Sequence, residues 1–406
     1  MNTLFNNKHI LLGVTGSIAC YKAADLASKL RQAGAQVDVI LSEAATHFVS
    51  PLTFQSVTGS KTYVESDLWG DEGHVLHIGL AKEADLILIA PATANTIAKL
   101  AHGQADNLLT LTVLAAECPL LIAPAMDGGM YTNPATQSNL ETLQSRGVEI
   151  IGPAEGHLAS GLVATGRMVE PDELLGHIRL ALGRDGLLQG QKVVVTAGGT
   201  VEPIDPVRFI GNRSSGKQGF ALAQAALDLG ADVTLIAGAT KLHTPVGAQQ
   251  IDVGSATQML EAVLNSSQDA QVLLMAAAVA DFRPEKPSKK KLKKDKGAPQ
   301  IDLIANKDIL LEVAKQKTKI GNPEITVGFA AESNDLLKNA RKKLKDKKLD
   351  IIVANDITAA DAGFEVDTNQ VTLLFADGKN EELPLMSKAE VAEAILERVS
   401  KLLKGK

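Results

Sequence analysis

The chain has 406 residues, of which 45% are apolar, 22% charged and only 3% aromatic, and its formal net charge is −6. That length exceeds a comfortable single core and predicts two domains. The negative balance argues against nucleic acid as a partner, because phosphate binding needs an excess of Lys and Arg. The cysteines, Cys20 and Cys118, have neither metal-ligand nor disulfide-framework spacing, and a cytoplasmic location is expected. No basic N-terminal region precedes a long apolar run and no stretch is long enough to span a bilayer, so no membrane partner is expected.

In chain order, His9–Val14 reads as a buried strand, Tyr21–Ala33 as a helix stopped by Gly34, and Val37–Leu41, Leu86–Ala90, Leu120–Ala123 and Glu149–Ile151 as further strands. Helix-length segments between them predict βαβ units and a parallel sheet. The pattern restarts at Lys192. Val193–Val195 leads into the turn Thr196-Ala-Gly-Gly-Thr200, Phe220–Leu229 reads as a helix, and Val233–Ala237, Val272–Met275, Thr326–Phe329 and Ile351–Ala354 as a second parallel set. Val371–Phe375 before Asp377-Gly378 predicts an edge hairpin, and Ser387 with Glu390 predicts a capping box on the last helix. The glycines 183, 186 and 190 place the boundary between residues 1–186 and 187–406. Both halves are expected to be α/β, doubly wound Rossmann-like sheets, mainly parallel, with ligands at the carboxyl ends of the strands.

At those ends lie Gly13-Val-Thr-Gly-Ser17, Ser42 and Ala90-Pro-Ala-Thr-Ala-Asn95. Gly16 and Ser17 open a helix, where glycine lets a phosphate approach and the first N–H groups have no partner. Thr93 and Asn95 offer a hydroxyl and an amide. Taken alone, the same residues also read as a tight turn and as helix caps.

Together with His77 and Pro124-Ala-Met-Asp-Gly-Gly-Met-Tyr131, these segments resemble the flavin-binding cysteine decarboxylase family, whose fold is flavodoxin-like. The resemblance implies FMN held by Gly16, Ser17, Ser42, Pro91, Ala92, Thr93, Ala94 and Asn95, and His77 as catalytic base beside it. It also implies Met126 and Arg167 as substrate contacts. The implied chemistry is oxidation of a cysteinyl thiol, loss of carbon dioxide and return of the electrons.

Two positions depart from that pattern. Asp127 stands where the family has Asn against the substrate carboxylate, and two carboxylates at about 4 Å repel by about 4 kcal/mol at an effective dielectric of about 20. Asp127 is therefore expected to be protonated, paired with a cation, or used differently. Ser160, in Gly156-His-Leu-Ala-Ser-Gly161, stands where the family has a proton-donating Cys. A thiol of pKa about 8.5 is a far stronger acid than a serine hydroxyl. His157 is the candidate replacement, as proton donor and as neutralising partner of Asp127. Tyr131, in place of the usual Trp, is a milder change.

The second half resembles phosphopantothenoylcysteine synthetase, the CTP-using ligase of coenzyme A synthesis. The residues that carry this are Thr196-Ala-Gly-Gly-Thr200, Asn212-Arg-Ser-Ser-Gly-Lys217, Ala276-Ala-Ala-Val-Ala-Asp281, Asn306-Lys-Asp-Ile309 and Val327-Gly-Phe-Ala-Ala-Glu332. The resemblance implies Asn212 on the acyl-cytidylate and Ser214, Ser215, Gly216, Lys217 and Arg208 on the substrate. Ala276, Ala277, Asp281, Asn306, Lys307, Asp308, Ile309, Phe329, Lys343 and Lys347 are implied on the nucleotide, with Mg2+ bound alongside it. The basic run Lys286–Lys296 aligns with a mobile lid whose catalytic lysine is Lys291, with Lys290 the adjacent register.

In this order the halves resemble the bifunctional bacterial family that makes 4′-phosphopantetheine from 4′-phosphopantothenate and L-cysteine. Decarboxylase trimers and ligase dimers, hence a homo-oligomer, are implied with it. An active ligase beside a non-catalytic flavin-binding domain is the alternative.

Overall fold

The computed structural model describes residues 3–70, 75–293, 300–332, 335–356 and 366–405. The chain divides into two compact units, Met1–Leu182 and Gly183–Lys406. Residues 294–296 of the basic run lie outside the described residues.

In the first unit, β1 (His9–Val14), β2 (Gln36–Leu41), β3 (Thr62–Tyr63), β4 (Leu86–Ala92), β5 (Leu120–Pro124) and β6 (Glu149–Ile150) form one sheet in the order β3-β2-β1-β4-β5-β6. Every pairing is parallel. Burial on both faces explains the unbroken apolar strands. Ile10, Leu12 and Val14 enter one core cluster while Leu11 enters the other, and Leu86 and Leu88 alternate likewise with Ile87 and Ile89. The order reverses between β1 and β4, which opens a crevice at their carboxyl ends. An antiparallel hairpin, β7 (Ala154–His157) with β8 (Val163–Arg167), follows β6. Its strands, Ala-Glu-Gly-His and Val-Ala-Thr-Gly-Arg, carry no apolar alternation that would announce it.

In the second unit, β9 (Lys192–Ala197), β10 (Asp232–Ala237), β11 (Gln249–Asp252), β12 (Val272–Met275), β13 (Ile325–Glu332), β14 (Ile351–Asp356), β15 (Val371–Phe375) and β16 (Asn380–Glu382) form an eight-stranded sheet. The order is β11-β10-β9-β12-β13-β14-β15-β16, reversing between β9 and β12. The pairings through β14 are parallel, and β15 and β16 add antiparallel at the edge. The expected edge hairpin and the Ser387/Glu390 capping box are both present. The helix Lys217–Asp228 starts earlier than its apolar pattern. Gly219 lets it pack close to the sheet, since a Cβ there would lie 2.5 Å from that of Ala197.

Away from the crevice, at the amino end of β1, His9 Nε2 hydrogen-bonds Asp38 at 2.6 Å, and Glu83 lies 3.8 Å from its Nδ1. The Asp38 hydrogen bond raises the His9 pKa above its ordinary value, against the opposing effect of burial. The folded state therefore holds a proton that the unfolded chain releases near pH 6.5. This stabilisation is full below about pH 6.5 and is lost as pH rises through the raised value. Urea titrations of wild type and His9→Phe between pH 5.5 and 9 should show a stability gap in favour of wild type that shrinks with rising pH. A gap constant across the range would refute the assignment.

Candidate functional sites

In the first unit the loops at the carboxyl ends are tied into one rim. Thr15 Oγ1 donates to Pro91 O at 2.7 Å and accepts from Thr93 N at 3.0 Å. Ala125 N donates to Ala92 O, and Met126 N to Gly166 O of the hairpin, each at 3.0 Å. The expected FMN segments therefore sit on connected turns. Ser42 and Thr93 serve as helix caps, accepting from Ala45 N and Thr96 N. Gly16 is required by packing as well, because a Cβ there would meet that of Ala44 at 2.6 Å. Asn95 is exposed. The donor set fits a flavin phosphate in its chemistry, with hydroxyls and N–H groups and no acidic side chain among Gly16, Ser17, Ser42, Thr93, Ala94 and Asn95. His77 lies in the first turn of the helix Leu76–Glu83 with a buried Nδ1 that has no partner among the described residues.

A cavity of about 500 Å³ brings together Ser17, Met126, Asp127, His157, Ser160 and Arg167. His77 is not among its lining residues. Asp127 caps the short helix Gly128–Tyr131 through Gly129 N at 3.0 Å, and its other oxygen accepts from Ser160 Oγ at 2.6 Å. The two departures from the family pattern are thus hydrogen-bond partners. The Ser160 hydroxyl, then the Gly129 N–H, hold the Asp127 carboxyl below its ordinary pKa, desolvation opposing weakly. Asp127 is ionised at neutral pH, so of the three expected alternatives (protonated, paired with a cation, or used differently) the first does not hold. Its partner is Ser160 and not His157. Gly166 lets the hairpin approach, since a Cβ there would lie 2.3 Å from Met126 O.

Lys22, which sequence reasoning missed, also lines this cavity, with its side chain 4% exposed. Its Nζ donates to Met168 O at 2.7 Å and to Glu170 Oε1 at 2.9 Å, and Arg167 shares Glu170 at 2.6 Å. Lys22 gave no signal in the sequence, because Met168 and Glu170 lie far from it along the chain.

In the second unit the turn after β9 crosses the loop after β12. Ala277 N donates to Thr196 Oγ1 at 3.1 Å, Ala278 N to Gly198 O at 2.9 Å and Ala280 N to Thr200 Oγ1 at 2.9 Å. Asn212 Nδ2 reaches Val279 O at 2.9 Å, beside the exposed Asp281. Asn306 uses both ends of its amide inside the fold, donating to Ala280 O at 2.8 Å and accepting from Arg283 at 2.7 Å. It holds the loop that it was expected to supply as a ligand contact. Asp308 caps the helix Ile309–Ile320 and pairs with Lys347 at 2.8 Å. Lys347 is the residue after the helix Leu336–Asp346, whose last turn contains Lys343. Lys307 precedes that Asp308 cap.

Ser214, Ser215, Gly216 and Lys217 form the turn before the helix Lys217–Asp228, with Ala276 and Phe329 across a small cavity. Lys217 is paired with Asp367 at 2.6 Å. The buried Asp205 accepts from Leu292 N at 3.1 Å while Arg208 donates to Leu292 O at 3.3 Å. Both backbone groups of Leu292 are thereby fixed, next to the exposed Lys290 and Lys291. Arg208 anchors the base of the basic run.

Two doubly wound units, each with its polar loops at a topological switch point, define an α/β protein of the class that opens a crevice at the carboxyl ends of its strands. Two family models match. The Flavoprotein family covers residues 2–182, and the DNA/pantothenate metabolism flavoprotein C-terminal domain covers residues 188–403. The coenzyme A biosynthesis bifunctional protein CoaBC of Bacillus subtilis is 48% identical over 99% of this chain and 98% of its own length. That of Mycobacterium tuberculosis is 44% identical over 98% and 97%. A solved C-terminal domain of CoaBC is 39% identical, covering 54% of this chain and 100% of its own, with a TM-score of 0.47. A PPC decarboxylase mutant complexed with pantothenoylaminoethenethiol is 34% identical, covering 43% and 97%, with a TM-score of 0.39. The chain belongs to the CoaBC family of bifunctional coenzyme A biosynthesis proteins. No helix among the described residues is long and apolar enough to cross a membrane.

The Lys22–Glu170 pair is asymmetric, with Glu170 58% exposed. Removing the exposed partner leaves a buried ammonium with one carbonyl, whereas removing the lysine leaves a solvated carboxylate. Glu170→Gln should destabilise by about 1 kcal/mol, and Lys22→Met should be neutral or stabilising. Thermal melts of both variants check this, and the reverse order would contradict it.

Proposed function

We propose that the chain performs two consecutive reactions of coenzyme A synthesis. CTP-dependent ligation joins 4′-phosphopantothenate to L-cysteine through an acyl-cytidylate, and FMN-dependent decarboxylation of the product then gives 4′-phosphopantetheine. The observation that carries the ligase reading is the reach of Asn212 across the switch point onto Val279 O. It ties the segment that leads into the Ser214–Lys217 turn to the loop that carries Asp281, which supports an activated carboxyl and a nucleotide meeting there. Mg2+ enters with CTP and offsets phosphate charge. Lys291, or Lys290 in the adjacent register, stands next to the fixed Leu292 and stabilises negative charge during acyl transfer. Phe329 offers an apolar face to the base.

In the first unit, FMN when bound supplies the two-electron oxidation of the thiol and the return of those electrons. Gly16, Ser17, Ser42 and the Pro91–Asn95 turn would hold it, and His77, with its open Nδ1, is the base. Ionised Asp127 repels a substrate carboxylate and favours its departure as neutral carbon dioxide. Arg167 supplies the cation that keeps the substrate in the cavity. The Ser160 proton is engaged on Asp127, so Ser160 is a poor acid. His157, in the same cavity, supplies the last proton.

That engagement of Ser160 also favours the second reading, a working ligase beside a flavin domain that binds without turning over. Anaerobic single-turnover reaction of the FMN-loaded chain with synthetic phosphopantothenoylcysteine separates the two. Carbon dioxide and phosphopantetheine together support the full cycle, and an unchanged flavin spectrum supports the second reading. His157→Gln should lower decarboxylation by at least about 100-fold and leave CTP-dependent ligation at the wild-type rate. Unchanged decarboxylation would remove His157 from the mechanism.

A further inference from the structure

The first part of the basic run lies on the tip of a hairpin. Val201–Pro203 pairs antiparallel with Phe209–Gly211, and residues 204–208 connect them. Ile204 N and Asp205 N both donate to Arg208 O, at 2.8 and 3.2 Å, so the tip is closed on itself. Asn212 directly follows the second strand of this hairpin. Onto the tip come residues 288–292. Ser288 N donates to Ile204 O at 2.8 Å. Ser288 Oγ accepts from Lys290 N at 3.3 Å and donates to Lys290 O at 2.6 Å. Leu292 N donates to Asp205 Oδ2 at 3.1 Å, and Leu292 O accepts from Arg208 at 3.3 Å. Both backbone groups of Lys290 and both of Leu292 are engaged, and the exposed Lys291 stands between them.

The side chain of Asp205 has no exposed surface. Its Oδ1 accepts from Val207 N and Arg208 N, each at 2.8 Å. That is a turn within the tip, for which one oxygen suffices and an asparagine would serve. The second oxygen meets Leu292 N, 87 residues further along the chain, with Arg208 Nη1 at 3.5 Å. Burial is the largest single effect on the Asp205 pKa and raises it. The N–H groups of Val207, Leu292 and Arg208, with the Arg208 charge, outweigh burial and hold the carboxyl below its ordinary value. Both oxygens therefore act as acceptors. A buried carboxylate is costly, and the hydrogen bond that requires its second oxygen is the one to the basic run.

We propose that Asp205 is a positioning residue for ligation, fixing through Leu292 the backbone from which Lys291 acts. The proposal rests on the ligation reading and extends it to a residue that reading does not place on any substrate. The hairpin whose tip holds Leu292 continues into Asn212, so one element carries the residue expected on the acyl-cytidylate and the clamp for the lysine. A lysine on an untethered loop has to be ordered in every turnover. Holding its backbone beforehand is worth about tenfold in rate.

The experiment is a double-mutant cycle on steady-state ligation by the full chain with CTP, synthetic 4′-phosphopantothenate and L-cysteine. Asp205→Asn keeps the shape of the side chain but replaces one oxygen by an NH2 group, so the turn and Leu292 N can no longer both be served. It should lower kcat by about tenfold or more and leave KM for L-cysteine within about twofold. Lys291→Met should lower kcat at least as much. Adding Asp205→Asn to Lys291→Met should change kcat by less than about twofold, because the positioned ammonium is already gone. Hydrogen exchange of the Leu292 N–H, read by mass spectrometry without substrates, should be about tenfold or more faster in Asp205→Asn than in wild type. Losses that multiply in the double variant, or faster exchange with unchanged kcat, would mean that Asp205 only stabilises the hairpin, and the proposal would fall. Unchanged exchange, or wild-type kcat in Lys291→Met, would overturn it as well. Should Asp205→Asn fold poorly by circular dichroism, Ser288→Ala, which releases the backbone of Lys290, carries the same cycle and should likewise add nothing to Lys291→Met. If wild type makes no phosphopantothenoylcysteine, the ligation reading fails and the positioning role goes with it. Failure of the proposal alone shows only in the variants of an active wild type.

Discussion

Both units depend on one constraint, the burial of parallel strands on both faces. Such strands cannot be joined by tight turns, so the chain returns through helices that cover the two faces. Where the strand order reverses, between β1 and β4 and again between β9 and β12, adjacent loops diverge and leave a crevice. The loops themselves are stiffened by hydrogen bonds across the reversal, from Thr15 to Pro91 in one unit and from Ala278 to Gly198 in the other. Polar groups that would be costly at the rim of an apolar core are satisfied there by neighbouring backbone.

Against that rigid background, the Asp127–Ser160 pair shows how two departures from a family pattern make one unit. An aspartate in place of an amide carries a charge, and the hydroxyl that replaces a thiol is a better donor to that charge. Each change alone is unfavourable for the expected chemistry. Together they produce a carboxylate that is stable at neutral pH and a hydroxyl whose proton is committed. On the proposed reaction, the last proton then comes from another group of the same cavity.

In the ligase half, several residues expected to face the ligand also hold the protein together. Asn306 binds the Ala280 and Arg283 groups, Lys347 neutralises Asp308, and Arg208 fixes Leu292. They shape the pocket by positioning its walls. The lysine run owes its attachment to this network, because Asp205, buried and hydrogen-bonded by three backbone N–H groups, grips Leu292 in its middle.

The sequence alone determined the class of fold, because apolar runs of strand length alternating with helix-length segments have few other solutions. It also determined the principal strands to within a few residues, the final capping box and the family, since Gly-rich turns and the Asn-x-Ser-Ser-Gly-Lys segment are local signals. It could not reveal the β7–β8 hairpin, whose short strands carry no apolar periodicity. Pairings between residues far apart in the chain were equally hidden. That Ser160 would donate to Asp127 and that Lys22 would be buried against Met168 were decided by the tertiary structure. The reason is physical. Periodicity and capping are properties of neighbours along the chain, while the charge and protonation of a site depend on which distant groups the packed sheets bring within hydrogen-bonding reach.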